Sequence, residues 1–122
     1  MQYWLYDGKL GFPVGHLDGG ETATAALARE ASEELDIHIS PEDCSFVHLT
    51  HSPSTASNPK EYLDLFFECS KWVGEVKINE PEKCSEQLWL TPDEFIDHPD
   101  AIPYLTRTLS LIESGVTYSE RI

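Results

Sequence analysis

Positively charged side chains are scarce in this sequence. Only 8 of its 122 residues are Lys or Arg, against 22 Asp and Glu, so the formal net charge is −14. A protein that binds a nucleic-acid polymer is expected to present a basic stripe or patch. The composition therefore argues against a nucleic-acid polymer as a partner.

Cysteines and long apolar runs are scarce as well. The 3 cysteines, Cys44, Cys69 and Cys84, are widely spaced and include no CxxC pair. This pattern favours ordinary buried thiols over a disulfide framework or a zinc site. No apolar run approaches the roughly 18 residues of a membrane span, and no signal-peptide pattern is present. We therefore expect no membrane partner and a cytoplasmic location.

The size and composition are those of one folded domain, 1–122, in which 40% of the residues are hydrophobic. Alternating apolar residues predict strands, and apolar residues every three or four positions predict helices. Extended segments are expected at 1–7 and 9–14, strands at 44–51, 61–70 and 87–90, and helices at 22–36 and 100–114, with a helical turn after Thr91. This order predicts an α+β fold, with a mixed sheet that has a helix on either side.

The predicted helix at 22–36 carries acids at a spacing that a helix brings together. Glu30, Glu33 and Glu34 lie at positions i, i+3 and i+4, which share one helix face. Carboxylates this close repel each other, whereas a hard divalent cation such as Mg²⁺ or Mn²⁺ binds oxygen ligands of this kind. A solvated acidic face is the alternative. An apolar stripe of Leu27, Ala31 and Leu35 would anchor another side of the helix, and this favours a metal site.

A longer pattern surrounds these acids. It reads Gly15, five residues, Glu21, seven residues, Arg29-Glu30, then Glu33-Glu34 and Ile37. It resembles the signature of the Nudix hydrolase family, Gly-x5-Glu-x7-Arg-Glu-U-x-Glu-Glu-x-Gly-U, where U is a bulky apolar residue. The preceding Phe12-Pro13-Val14-Gly15-His16 is similar to the lead-in of small MutT-like nucleotide pyrophosphohydrolases. Asp36 replaces the last Gly, a mild departure because Asp tolerates the left-handed conformation of a helix C-cap.

The resemblance implies a set of site residues. Glu30, Glu33 and Glu34 would be the metal-binding and catalytic acids, with Glu30 a candidate general base, and the backbone carbonyl of Val14 would be a further ligand of Mg²⁺ or Mn²⁺. Arg29 would orient the carboxylates, and Glu21 would pair with Arg29 as a structural residue. The stretch from Glu80 to Cys84, followed by Trp89, resembles a segment near the active site in one subgroup. Glu80 or Glu82 is there either an additional acid or an ordinary loop carboxylate. The turn residues that would shape the loop or contact phosphate are Gly15, His16, Gly19 and Gly20.

The resemblance also implies a Nudix-like αβα sandwich and an activity. That activity is metal-dependent hydrolysis of a pyrophosphate bond in a nucleoside triphosphate, or in a related nucleoside diphosphate-X compound, with water attacking phosphorus. Bound metal would offset the repulsion between a chain of charge −14 and a polyphosphate.

The N-terminal part looks short for this family, because only residues 1–11 precede Phe12. Family members normally have at least one full strand there. Residues 2–6 could serve as an abbreviated strand, an N-terminal piece could be lacking, or a homodimer could complete the sheet. The same feature leaves open a non-catalytic Nudix-like module that binds a nucleotide or a protein.

Overall fold

The computed structural model of the protein describes residues 2–6, 9–12, 17, 19–77 and 86–121. Its elements, in chain order, are β1 (Gln2–Tyr6), β2 (Lys9–Gly11), α1 (Ala23–Leu35), β3 (Cys44–Ser52), β4 (Tyr62–Cys69), β5 (Glu86–Trp89), α2 (Pro92–Ile96), α3 (Pro103–Glu113) and β6 (Tyr118–Glu120), with a 3₁₀ turn at Pro41–Asp43 before β3. Strands and helices are interspersed along the chain, so the predicted α+β class is confirmed.

The strands form two three-stranded sheets among the described residues. One has the order β2-β1-β5 and is antiparallel throughout. The other has the order β4-β3-β6, where β4 is antiparallel and β6 parallel to β3. This second sheet is mixed, as the sequence predicted.

The N-terminal segment is used as a strand. Residues 2–6 form the middle strand of their sheet, with Leu5 opposite Leu10 of β2 and Tyr3 opposite Leu88 of β5. Of the alternatives drawn from the sequence, the abbreviated strand is the one that the structure contains. The homodimer stays a prediction.

Two differences from the predicted elements concern helix α3 and strand β6. Helix α3 begins at Pro103 rather than near residue 100, because proline is favoured in a first turn, where its missing N–H leaves no bond unmade. Strand β6 was not predicted at all. It is three residues long and joins β3 through backbone bonds from Leu49 N to Thr117 O and from Arg121 N to His51 O.

The described core lies in two clusters, one that includes α1 and one that includes α2 and α3. Ala31 and Leu35 of α1 pack with Ile37 and Ile39, and the half-buried Cys44 and Cys69 lie against them. Phe95 of α2 packs with Leu109 of α3. Helix α1 is therefore held along one side, which leaves its carboxylates on another.

None of the helices in the described part of the chain is long and apolar enough to cross a membrane.

Candidate metal and active site

Both ends of helix α1 are fixed by local contacts. Thr22 is the N-cap, and its hydroxyl accepts a hydrogen bond of 3.2 Å from the backbone N–H of Ala25. Asp36 is the C-cap in the left-handed conformation, with φ 57° and ψ 37°, and its N–H donates to Ser32 O. These caps satisfy backbone groups that a helix end would otherwise leave unpaired.

Arg29 connects three of the acids of the motif. Its guanidinium donates to Glu21 through two nitrogens, at 2.9 and 3.3 Å. The same group donates to Glu30 at 2.9 Å and to Glu33 at 3.3 Å. A forked contact of this kind fixes the orientation of a carboxylate as well as its charge. The sequence predicted the contacts to Glu21 and Glu33, and the structure adds the one to Glu30.

The three acids of the helix differ in exposure. Glu34 is buried, with 5% of its surface accessible, whereas the side chain of Glu33 is 52% accessible and that of Glu30 is 18% accessible. Glu30 and Glu34 both line a cleft of about 640 Å³, to which Glu33 does not contribute. The cleft therefore receives two of the three acids of the helix, while Glu33 faces outward beside Arg29.

Aromatic side chains line other walls of this cleft. Trp72 and Trp89 stack on each other, with ring centroids 5.9 Å apart and planes 20° apart. They remain 40% and 53% accessible, so their outer faces are available for contact. Trp72, which follows β4, was not among the residues predicted from the sequence. A tryptophan in the polar stretch Ser70-Lys71-Trp72 is the signal that could have marked it.

Asp64 and Tyr104 join strand β4 to helix α3 at the cleft. The hydroxyl of Tyr104 donates a hydrogen bond of 2.8 Å to Asp64, and both residues line the cleft. Burial, together with this bond, raises the pKa of Tyr104 to about 12. Tyr104 therefore stays protonated at neutral pH and acts as a hydrogen-bond donor.

The histidines of β3 have structural contacts. His48 is fully buried, its Nδ1 donates to Val116 O at 2.8 Å, and its Nε2 lies 2.8 Å from the hydroxyl of Ser119. With Nδ1 as the donor to a carbonyl, Nε2 of the neutral ring accepts from the hydroxyl. His51 pairs with Glu61 at 2.6 Å. His48 thus anchors strand β6.

The structure describes only part of the predicted loop residues. Gly19 and Gly20 precede α1 with φ of +76° and +74°, a left-handed conformation that glycine adopts at little cost. This suits them to turn formation. Val14, Gly15, His16, Glu80 and Glu82 lie outside the described residues.

The acidic side chains of α1 carry oxygen atoms that could bind a divalent cation. Carboxylate oxygens are the ligands that Mg²⁺ and Mn²⁺ prefer, and Glu30 and Glu34 bring them to one cleft. Within the described ranges, however, no three His, Cys, Asp or Glu side chains are grouped closely enough to hold a metal. The chemistry of the donors fits such an ion, and a complete set of ligands would draw on further groups.

Comparison with known proteins gives a consistent assignment. No curated protein matches the chain. Solved structures do match. A mutator MutT protein from Bacillus halodurans superposes with a TM-score of 0.79 at 18% identity, over 98% of this chain and 78% of that one. A MutT NUDIX hydrolase from Burkholderia pseudomallei gives 0.75 at 23% identity, over 95% and 87%. A MutT protein from Methanosarcina mazei Go1 gives 0.74 at 15% identity, over 93% and 82%.

These likenesses show that the fold is the one found in MutT proteins, and they confirm the predicted αβα arrangement. The model of the NUDIX domain family matches residues 3–109, which is most of the chain and includes the whole of α1. The protein belongs to the NUDIX domain family.

Proposed function

We propose that this protein is a metal-dependent pyrophosphohydrolase. Its substrate would be a nucleoside triphosphate or a related nucleoside diphosphate-X compound, and water would attack a phosphorus atom. The observation that carries the proposal is the position of Glu30 and Glu34, two acids of the family motif that open into one cleft. A structural neighbour described as a MutT NUDIX hydrolase supports the same class of reaction.

The metal would be Mg²⁺ or Mn²⁺, held by Glu34 and Glu30 with Glu33 as a further candidate. When bound, such an ion neutralises phosphate charge and makes water more acidic. Arg29 keeps Glu30 in one orientation by donating to its Oε1, so Oε2 is the atom proposed to accept a proton from water. Arg29 and Glu21 serve as orienting groups in this scheme.

The rest of the cleft suits a nucleoside. The accessible faces of Trp72 and Trp89 offer a surface on which a base could stack. A volume of about 640 Å³ lies within the usual range for small-molecule sites, roughly 300–1,000 Å³. Because the chain has a net charge of −14, the polyphosphate is expected to enter as its metal complex.

The decisive experiment compares Glu34→Gln with Glu113→Gln. Turnover of dGTP, 8-oxo-dGTP, dCTP, dUTP and ADP-ribose is measured side by side while Mg²⁺ or Mn²⁺ is titrated. The wild type should hydrolyse at least one of them only when metal is present, and Glu34→Gln should lower kcat by about 10-fold or more, because it removes a proposed metal ligand. Glu113 is exposed at the end of α3, so its variant should keep full activity.

Two outcomes would overturn the proposal. Full turnover by Glu34→Gln would remove the acids of α1 from the reaction. Nucleotide binding by the wild type without hydrolysis, at saturating Mg²⁺ and Mn²⁺, would select the non-catalytic binding module.

A further inference from the structure

Cys44 and Cys69 face each other across the β3–β4 hairpin. Cys44 begins β3, Cys69 ends β4, and the two are directly opposed in the antiparallel register. Opposed residues of this kind have Cβ atoms about 4.5–5.5 Å apart, and a disulfide needs about 3.5–4.5 Å. The separation to be closed is therefore small, and it lies at the strand ends. Both thiols are free in the structure.

The two cysteines differ in their surroundings, because Cys69 lines the cleft and Cys44 does not. Both cysteines are half-buried against the core cluster that contains Ala31, Leu35, Ile37 and Ile39. The thiol of Cys44 donates to Ser40 O at 3.6 Å, and that of Cys69 donates to Lys71 O at 3.0 Å. Cys69 also lines the large cleft, so a small oxidant can reach its sulfur from there.

We propose that Cys44 and Cys69 form a redox-active dithiol that a peroxide converts into an intramolecular disulfide. The sequence favoured ordinary buried thiols, because the cysteines are widely spaced and include no CxxC pair. The hairpin register is what brings Cys44 and Cys69 opposite each other. The inference does not depend on the proposed hydrolase activity.

The reaction proceeds in two balanced steps. The sulfur of Cys69, as thiolate, attacks one oxygen of hydrogen peroxide. An S–O bond forms, the O–O bond breaks, and the departing hydroxide takes up a proton as water. The sulfur of Cys44 then attacks the sulfenic sulfur of Cys69. The S–S bond forms, the S–O bond breaks, and the hydroxide leaves as water with the proton of Cys44. The two thiols lose two electrons together, and the peroxide is reduced to two waters.

Two features assign the order of attack. Cys69 is the residue of the pair that lines the cleft. Burial, with neighbouring Cys69, raises the pKa of the Cys44 thiol to about 11. Cys44 therefore keeps its proton at neutral pH, which makes it the weaker nucleophile toward the peroxide and leaves the first attack to Cys69.

The crosslink would join the two strands at the ends where Cys44 begins β3 and Cys69 ends β4. Because both cysteines pack against the core cluster that includes Ala31 and Leu35 of α1, the disulfide would stiffen the surroundings of the helix that carries Glu30 and Glu34. It would also restrict the unfolded chain. Oxidation should therefore raise the unfolding temperature by several degrees, and dithiothreitol should reverse the rise.

The test uses the full chain with Cys84→Ser, so that two thiols remain. The protein is treated with hydrogen peroxide under native conditions, alkylated, and analysed by intact mass and peptide mapping. We expect a loss of two hydrogens, a linked peptide pair containing Cys44 and Cys69, and recovery of both thiols on reduction. Peptide mapping of the wild type gives the same information if the Cys84→Ser variant folds poorly.

A matched control moves one thiol to the wrong face of its strand. In the background of Cys84→Ser, the double change Cys69→Ser with Glu68→Cys keeps almost the same chain separation, but residue 68 lies opposite Ser45. This variant should give no linked peptide. Equal crosslinking in the control, or sulfinic acid or intermolecular dimers in place of the Cys44–Cys69 link, would overturn the proposal.

Discussion

Arg29 is the residue on which the geometry of the acids depends most. One guanidinium with 28% side-chain accessibility contacts carboxylates of Glu21, Glu30 and Glu33. An exposed pair contributes roughly 0–1 kcal/mol, but this cluster is partly buried and forked toward Glu21. It offsets the repulsion among neighbouring acids and leaves each carboxylate with a defined orientation. The interpretation of Arg29 as an orienting residue therefore has a concrete geometric basis.

Replacing Arg29 with Lys tests whether the positive charge alone orients the acids or whether the forked geometry of the guanidinium is needed. The ammonium keeps the positive charge but cannot make parallel contacts to several carboxylates. We expect kcat to fall by about 10-fold or more, which is the scale of the effect of a misplaced catalytic group. The change in KM should be smaller. The free energy of unfolding should fall by at most about 2 kcal/mol. Steady-state kinetics and urea unfolding measure both quantities.

Arg107→Lys provides the control for this experiment. Arg107 is exposed on α3, away from the Glu21–Arg29 cluster, so its variant should match the wild type. An Arg29→Lys enzyme with unchanged kcat would contradict the orienting role.

Helix α1 is the element whose position the sequence predicted best. The expected range 22–36 corresponds to a helix at Ala23–Leu35 with Thr22 and Asp36 as its caps. The apolar stripe and the cap residues are local signals, so a sequence reports them directly. The expected left-handed conformation at Asp36 is confirmed by its φ of 57°.

The C-cap supplies a prediction about stability. Asp36 holds a conformation that glycine adopts without strain, and its ion pair with Lys77 is long at 4.0 Å and exposed. Asp36→Gly should therefore raise the free energy of unfolding by about 0.5–1 kcal/mol, and Asp36→Ala should lower it by a similar amount, since Ala is disfavoured there. Chemical denaturation of the two variants checks this. Equal stabilities would show that the backbone conformation at residue 36 has no energetic role.

Elements that depend on distant pairing were harder to predict. Strand β6 has three residues, and its place beside β3 depends on His48, whose ring bonds Val116 and Ser119. No periodicity can appear in so short a segment. The pairing of Cys44 with Cys69 and the stacking of Trp72 on Trp89 are likewise tertiary contacts between residues far apart in the chain. Sequence patterns predict the acids of a site, because they lie on one helix, but not the walls of the cleft.

At the scale of the whole molecule, a strongly negative protein is proposed to bind a negatively charged polyphosphate. The electrostatic repulsion between the two therefore has to be offset. The chain carries −14, and Glu30 and Glu34 bring more negative charge to the cleft itself. A divalent cation at these carboxylates would reverse the local sign and let the rest of the surface stay acidic. The proposed hydrolase function therefore depends on cation binding by the acids of α1.

The most direct test is a titration of Mn²⁺ followed by electron paramagnetic resonance, which measures the free ion without any turnover. The wild type and Glu113→Gln should bind Mn²⁺ with the same affinity, and Glu30→Gln and Glu34→Gln should each weaken binding by about 10-fold or more, as loss of a ligand does. Wild-type affinity retained in both Glu30→Gln and Glu34→Gln would contradict the account.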